Sequence, residues 1–393
     1  MKPLKEIKMK AHPILSAVGP GYPDRLELDK FPFYFEFTGT PYNDGLSYGK
    51  ACKNALQKIL DDDRKNSLWG WDSLSKKEMK LIIASAEKIM EFYPDYREEL
   101  RGIAYGAEIP FKDMLLALLP EACISIGKIP FGRPEACTFC AYHDEDKIII
   151  GNNQDSPPRY TIMHIKREGK FSYITVFYLG RIWGGGPSMN EHGLTLAAVS
   201  IPPNIVNSWE KMITFGKKIP QGKGTSGYIE QRRILENAKT VKEALSLLEE
   251  RENLFRSTGL LIADAQGDLA IVSMTTGIYS VYRPAEKRFA WPNICFDKEF
   301  IKKSMGMTME EYKKTVDKTK LERFGFLTSH FLNDKNAVNM ESMWKLMRTQ
   351  PYVCRKSTAI TAVMNPKTRE FFVTQGNSPE QPRYNLKASK LLY

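Results

Sequence analysis

The chain has 393 residues, 42% of them hydrophobic and 26% charged, enough for one large domain or two ordinary ones around a sizeable core. No run of 18 or more apolar residues occurs, which excludes a membrane-spanning helix. The net charge of +11 suits a soluble basic surface or an anionic small molecule, but the basic residues are scattered and form no nucleic-acid-binding pattern, so nucleic acid is not an expected partner.

The N-terminus, MKPLKEIKMK, is basic and lacks a following apolar stretch, so the expected location is the cytoplasm. Residues 1–30 read as irregular and residues 31–40 as a strand, with Phe31, Phe33, Tyr34, Phe35 and Phe37 bound for a core or a sheet face. Gly39-Thr40-Pro41 reads as a turn, and the apolar spacing after Gly49 is helical. Ser75 with Glu78 three residues on predicts a capping box and a helix that stops at Pro94. Two more helices follow, ending before Pro110 and near residue 122, so 40–122 is mostly helical.

The character changes after Pro134. Residues 137–155 read as strand, turn at 143–146, strand. Strands are expected within 161–168, 171–179 and 193–201, with a tight loop at Gly184-Gly185-Gly186. A helical stretch covers 226–250, three strands fill 258–285, residues 308–349 are helical, and 357–376 form a hairpin turning at Asn365-Pro366. There is no internal repeat. The pattern predicts an α+β fold with sheets packed under helices.

The six cysteines are too few and too dispersed for a disulfide scaffold, and the five histidines form no metal-binding cluster, so neither metal nor cofactor is expected. Cys137 stands out because it opens a strand just where the helical region ends. If the 137–155 hairpin pairs about its turn, Cys137 lies beside Asp155, within one residue of register. A thiol there needs a base, an orienting polar group and oxyanion donors. An α-amine exposed by a cut before Cys137 would supply the base. Cys137-Thr138-Phe139-Cys140 is also a CxxC, but residues i and i+3 of a strand face opposite ways, which argues against a redox or zinc site.

These motifs resemble the acyl-coenzyme A:6-aminopenicillanic acid acyltransferase family of N-terminal-nucleophile hydrolases (peptidase C45-like), with a more distant similarity to bile-salt and penicillin V amidases. The resemblance rests on Cys137-Thr138, on Gly151-Asn152-Asn153-Gln154-Asp155 and on Asn190-Glu191-His192-Gly193-Leu194. It rests also on GTPYNDGLSYGK before the nucleophile, on GIAYGA at 102–107, on Arg233-Ile234-Leu235 with Glu243-Ala244-Leu245, and on 357–364. It implies a four-layer αββα fold. It implies self-cleavage between Ala136 and Cys137, with 1–136 retained as a mainly helical small chain and 137–393 as the catalytic chain of one integrated domain. It implies Cys137 as nucleophile, Asp155 orienting its amine, the Ser200 backbone N–H and the Asn293 side chain holding the oxyanion, and Asn152, Asn153 and Asn190 in support. The chain departs from the family in having Ala136 where glycine is common, Phe139 where a small hydroxyl residue stands, and Asn152 where bile-salt amidases carry arginine.

The expected activity is transfer of an acyl group from a small amide or thioester, anionic ones included, through acyl-Cys137 to water or an amine. Two other readings stay open: an uncleaved binding protein on the same scaffold and a CxxC redox protein. A homo-oligomer is compatible with the sequence. Arg181 and Trp183 are further candidates for a pocket wall.

Overall fold

The computed structural model describes residues 34–66, 74–118, 137–155, 160–179, 186–201, 225–250, 253–254, 258–379 and 381–387. Ala136, Arg181, Trp183, the first residues of the aromatic run and two of the three loop glycines (184 and 185) lie outside them.

Strand β1 (Tyr34–Phe37) leads into α1 (Pro41–Asn66). The helix starts at Pro41, eight residues before the Gly49 boundary expected from sequence. Proline is well placed in a first turn, where its missing N–H costs nothing. Gly45 and Gly49 within α1 allow a close crossing with α3. Helix α2 (Lys76–Glu91) has the Ser75–Glu78 capping box in both directions. It is followed by α3 (Pro94–Gly106) and α4 (Phe111–Leu118). A Cβ on Gly45 or Gly49 would run into the Glu99 or Ile103 carbonyl, and one on Gly102 or Gly106 into the Tyr42 or Leu46 carbonyl. The two helices touch backbone to backbone only because four glycines lie at their seam.

The hairpin of β2 (Thr138–His143) and β3 (Ile148–Asp155) follows, then β4 (Tyr160–Ile165), β5 (Tyr173–Tyr178), β6 (Ser188–Asn190) and β7 (Thr195–Ser200). After the short β8 (Thr225–Ser226) come α5 (Gly227–Asn237) and α6 (Val241–Glu249), not one helix over 226–250. The break has a cause. The Asn190 amide donates to Leu235 O (3.0 Å) and Ala238 O (2.7 Å), ending the first helix, and Thr240 caps the second through Glu243 N.

The short β9 (Asn253–Leu254) pairs with β8. Strands β10 (Thr258–Ala263), β11 (Leu269–Thr275), β12 (Ile278–Tyr282) and β13 (Arg288–Trp291) precede α7 (Lys298–Met305), α8 (Met309–Thr315) and α9 (Lys318–Leu327). A π turn (Thr328–Leu332) extends α9, and α10 (Met340–Met347) follows. The chain finishes in β14 (Thr358–Asn365), β15 (Glu370–Gln375) and β16 (Tyr384–Lys387).

Among the described residues an eight-stranded sheet runs β1-β4-β5-β6-β7-β10-β11-β12, and a six-stranded sheet runs β13-β2-β3-β14-β15-β16. Strand alternation sorts their side chains into layers. Ile162, Val176, Ala197, Val199 and Leu261 of the first sheet meet Phe139, Ala141, Ile148, Ile150 and Met364 of the second in one buried core. The other face of the first sheet (Met163, Leu196, Leu260, Ile262) packs on α1 to α6. The other face of the second (Cys140, Ile149, Val363, Phe372) packs on α9, its π turn and α10. The fold is therefore α+β, two stacked sheets between helical layers. No helix among the described residues is long and apolar enough to cross a membrane.

Candidate active site

Cys137 immediately precedes β2, the second strand of the six-stranded sheet, between β13 and β3. Thr138 pairs with Asn153, and Phe139 pairs with both Asn152 and Trp291. Counting on by these registers brings Gln154 level with Cys137 on one side and Asn293 on the other. The sequence-based register was one residue off, so the sulfur meets Gln154 and not Asp155. The buried Cys137 Sγ lies 3.3 Å from Gln154 Oε1, to which it donates. Gln154 Nε2 donates to Asn152 Oδ1 and to Ala198 O, both at 2.8 Å, which ties the hairpin to the other sheet. Asn152 Nδ2 in turn donates to Thr138 O at 3.0 Å.

Asp155 points to the opposite, helix-covered face. Its Oδ2 takes a hydrogen bond from Arg323 Nη2 (3.1 Å) and its Oδ1 one from the Thr358 hydroxyl (2.6 Å). Arg323, on α9, also donates through Nη1 to Cys137 O (3.2 Å) and Thr138 Oγ1 (2.5 Å). Asp155 thus reaches the nucleophile's backbone through a guanidinium. Burial pushes the Asp155 carboxyl above its ordinary range, against the pull of Arg323 and Thr358. Both partners are about 1% exposed, so removing either would strand a charge at a cost of about 3–5 kcal/mol.

Asn293 follows Trp291-Pro292 in a left-handed conformation (φ 62°), a region where asparagine is tolerated better than other side chains with a Cβ. Its Nδ2 donates to Ser200 O at the end of β7. The structure therefore brings Ser200 and Asn293 together. Asn153 and Asn190 serve the framework: Asn153 Nδ2 donates to Met347 O and Val353 O, and Asn190 shapes the β6–β7 turn. Cys140 faces the outer helical core while Cys137 faces the space between the sheets, so the CxxC cannot close. No group of side chains among the described residues could hold a metal ion.

A cavity of about 20 Å³ opens at Cys137, where β4 and β10 begin and β5 and β7 end. Gln154, Tyr160, Tyr178, Ser200, Tyr228 and Gln231 line it, and no charged side chain does so among the described residues. Sequence reasoning missed Arg323, Thr358 and Gln231. Arg323 lies 168 positions from Asp155, and no local motif marks it.

A buried thiol thus lies between the two sheets, braced by an arginine–carboxylate pair and facing a small cavity that no charged side chain lines among the described residues. The model of the acyl-coenzyme A:6-aminopenicillanic acid acyl-transferase family matches residues 142–378, and the chain belongs to that family. It is 22% identical over 189 residues to the beta-alanyl-dopamine/carcinine hydrolase of Drosophila melanogaster, across 43% of this chain and 49% of that protein. The chain thus spans about half the length of this curated relative. Among solved structures, a point mutant of conjugated bile acid hydrolase from Clostridium perfringens is similar at a TM-score of 0.44 and 13% identity, covering 65% of this chain and 94% of that one. Penicillin V acylase from Agrobacterium tumefaciens is similar at 0.40 and 18%, covering 65% and 88%.

Proposed function

We propose that this chain is a self-processing N-terminal-nucleophile amidase that hydrolyses a small N-acyl amine through an acyl-Cys137 intermediate. The observation that carries the reading is the placement of Cys137. Its sulfur faces the cavity and Gln154, while Arg323 grips its carbonyl from behind.

In the first reaction Sγ attacks the Ala136 carbonyl carbon, and the peptide nitrogen leaves as the α-amine of Cys137. Water then hydrolyses the thioester. This yields a small chain of residues 1–136 and a catalytic chain of 137–393. In turnover the freed amine takes the thiol proton and the thiolate attacks the substrate carbonyl. The developing oxyanion is held by the Ser200 N–H and the Asn293 amide. The proton passes to the leaving amine, and water attacks the acyl-cysteine. Asp155 positions the new terminus through Arg323. Water is the expected acceptor, since transfer to an amine requires its exclusion. An N-acyl amine substrate is supported by the family and by the name of the Drosophila relative.

Intact mass and N-terminal sequencing test the reading. The wild type is expected to give a heavy fragment beginning at Cys137 and to turn over acyl anilides. Cys137→Ala is expected to stay a single inactive 44.9 kDa chain. A heavy fragment starting elsewhere, or two fragments from the variant, sinks the mechanism.

A further inference from the structure

The amides around the nucleophile are nearly all occupied by protein partners. Gln154 bonds Asn152, Ala198 and the thiol, Asn152 bonds Thr138, and Asn153, whose own oxygen is buried without a partner, donates twice through its nitrogen. Gln231 differs from all three. It sits on α5, is 1% exposed, lines the same cavity as Cys137, and makes no side-chain hydrogen bond among the described residues, its Oε1 buried without a partner. A buried amide in that state is disfavoured unless something arrives to bond it.

We propose that Gln231 is a specificity residue that accepts a hydrogen bond from a donor on the acyl part of the substrate, a hydroxyl or an amine. The proposal rests on the acyl-transfer reading of Cys137. The acyl part is the one that stays on the sulfur while the amine departs, so it belongs in the cavity that Cys137 lines. The space of about 20 Å³ beside Sγ has room for a small polar group. The walls supply Tyr160 and Tyr178, stacked at 4.7 Å between centroids, together with Phe177 and Tyr228. A hydroxyl or amine donated to Oε1 would satisfy both partners. A purely apolar acyl group would leave Gln231 unbonded, the situation in which hydrogen-bonding sites discriminate best.

The test uses the processed wild-type enzyme and four 4-nitroanilides in matched pairs: acetyl with glycoloyl, and propionyl with 3-hydroxypropionyl. A hydroxylated member is expected to exceed its apolar partner in kcat/KM by about ten-fold or more. Gln231→Leu, with Gln231→Met beside it, is expected to abolish that advantage while changing the apolar probes less than about three-fold. Gln231→Glu retains an acceptor and is expected to keep the preference. Turnover without preference in the wild type, or a preference that survives in Gln231→Leu and Gln231→Met, overturns the assignment while leaving the acyl-transfer reading standing. No turnover of any of the four by processed enzyme overturns both.

Discussion

Arg323 does the work of several residues at once. One planar guanidinium holds the Cys137 carbonyl, the Thr138 hydroxyl and the Asp155 carboxylate. A lysine retains the charge but cannot span three acceptors in that fork. Arg323→Lys is therefore expected to misplace Cys137 and slow the proposed self-cleavage on the order of 10²-fold, read as the intact fraction over time. Thr358→Val removes a hydroxyl donor from the buried Asp155 and should cost about 1–3 kcal/mol in denaturant unfolding. Cys137, Asp155 and Asn293 were visible in the sequence because local motifs and family order mark them. Gln154 lay within the register uncertainty of the hairpin. Arg323 and Gln231 were invisible, since each is an ordinary helical residue whose meaning comes from what the fold sets against it.

The helices on the outer face carry a buried ionic network. Glu99 of α3 accepts from Arg232 of α5 and from Arg167, which follows β4 and also bonds Asp44 of α1. Arg232 further bonds Glu236 at 2.7 Å, and Tyr96 and Tyr93 reach Glu236 and Glu230. Burial alone would raise the Glu99 carboxyl, but Arg232 and Arg167 overcome it and hold it below its ordinary value of 4.5. A depressed carboxylate stabilises the fold above its unfolded pKa and loses that contribution as pH falls through the folded one. Asp44 is shifted upward by burial and contributes with the opposite sign. The melting temperature is thus expected to fall below about pH 4.5 partly through Glu99, and Glu99→Gln should flatten that decline. Glu99→Ala, which removes the carboxylate shared by two buried guanidiniums and leaves each with one acidic partner, should cost about 3 kcal/mol at neutral pH. At the adjoining seam, Gly102→Ala must push α3 off α1 and is expected to cost about 1–3 kcal/mol by thermal unfolding. Caps and prolines marked the approximate places of these helices in advance. The start of α1 and the unity of 226–250 were misjudged, because the helical apolar spacing is clear only after Gly49 and Asn190, far along the chain, could not be read as a cap.

For the molecule as a whole, the pattern of helices and strands foretold an α+β fold and the family resemblance implied two stacked sheets, which the buried layers realise. What patterning could not give was the order of strands in each sheet, which long-range pairing decides: β3 finds β14 across most of the chain, and β2 finds β13. If the chain is cut before Cys137, the ionic network and the pairing of β1 with β4 predict that both pieces elute together on size exclusion and separate only in denaturant.

Strand β1, from the part ahead of the cysteine, lies parallel to β4 at the rim of the larger sheet. It shields a row of main-chain donors and acceptors that would otherwise face solvent. A gene trimmed to start at residue 137, attractive as a shortcut to ready-made enzyme, would leave β4 bare and ready to template stacking with its own kind. Such a product should collect in inclusion bodies, which makes the leading segment a lasting sheath rather than a discarded wrapper.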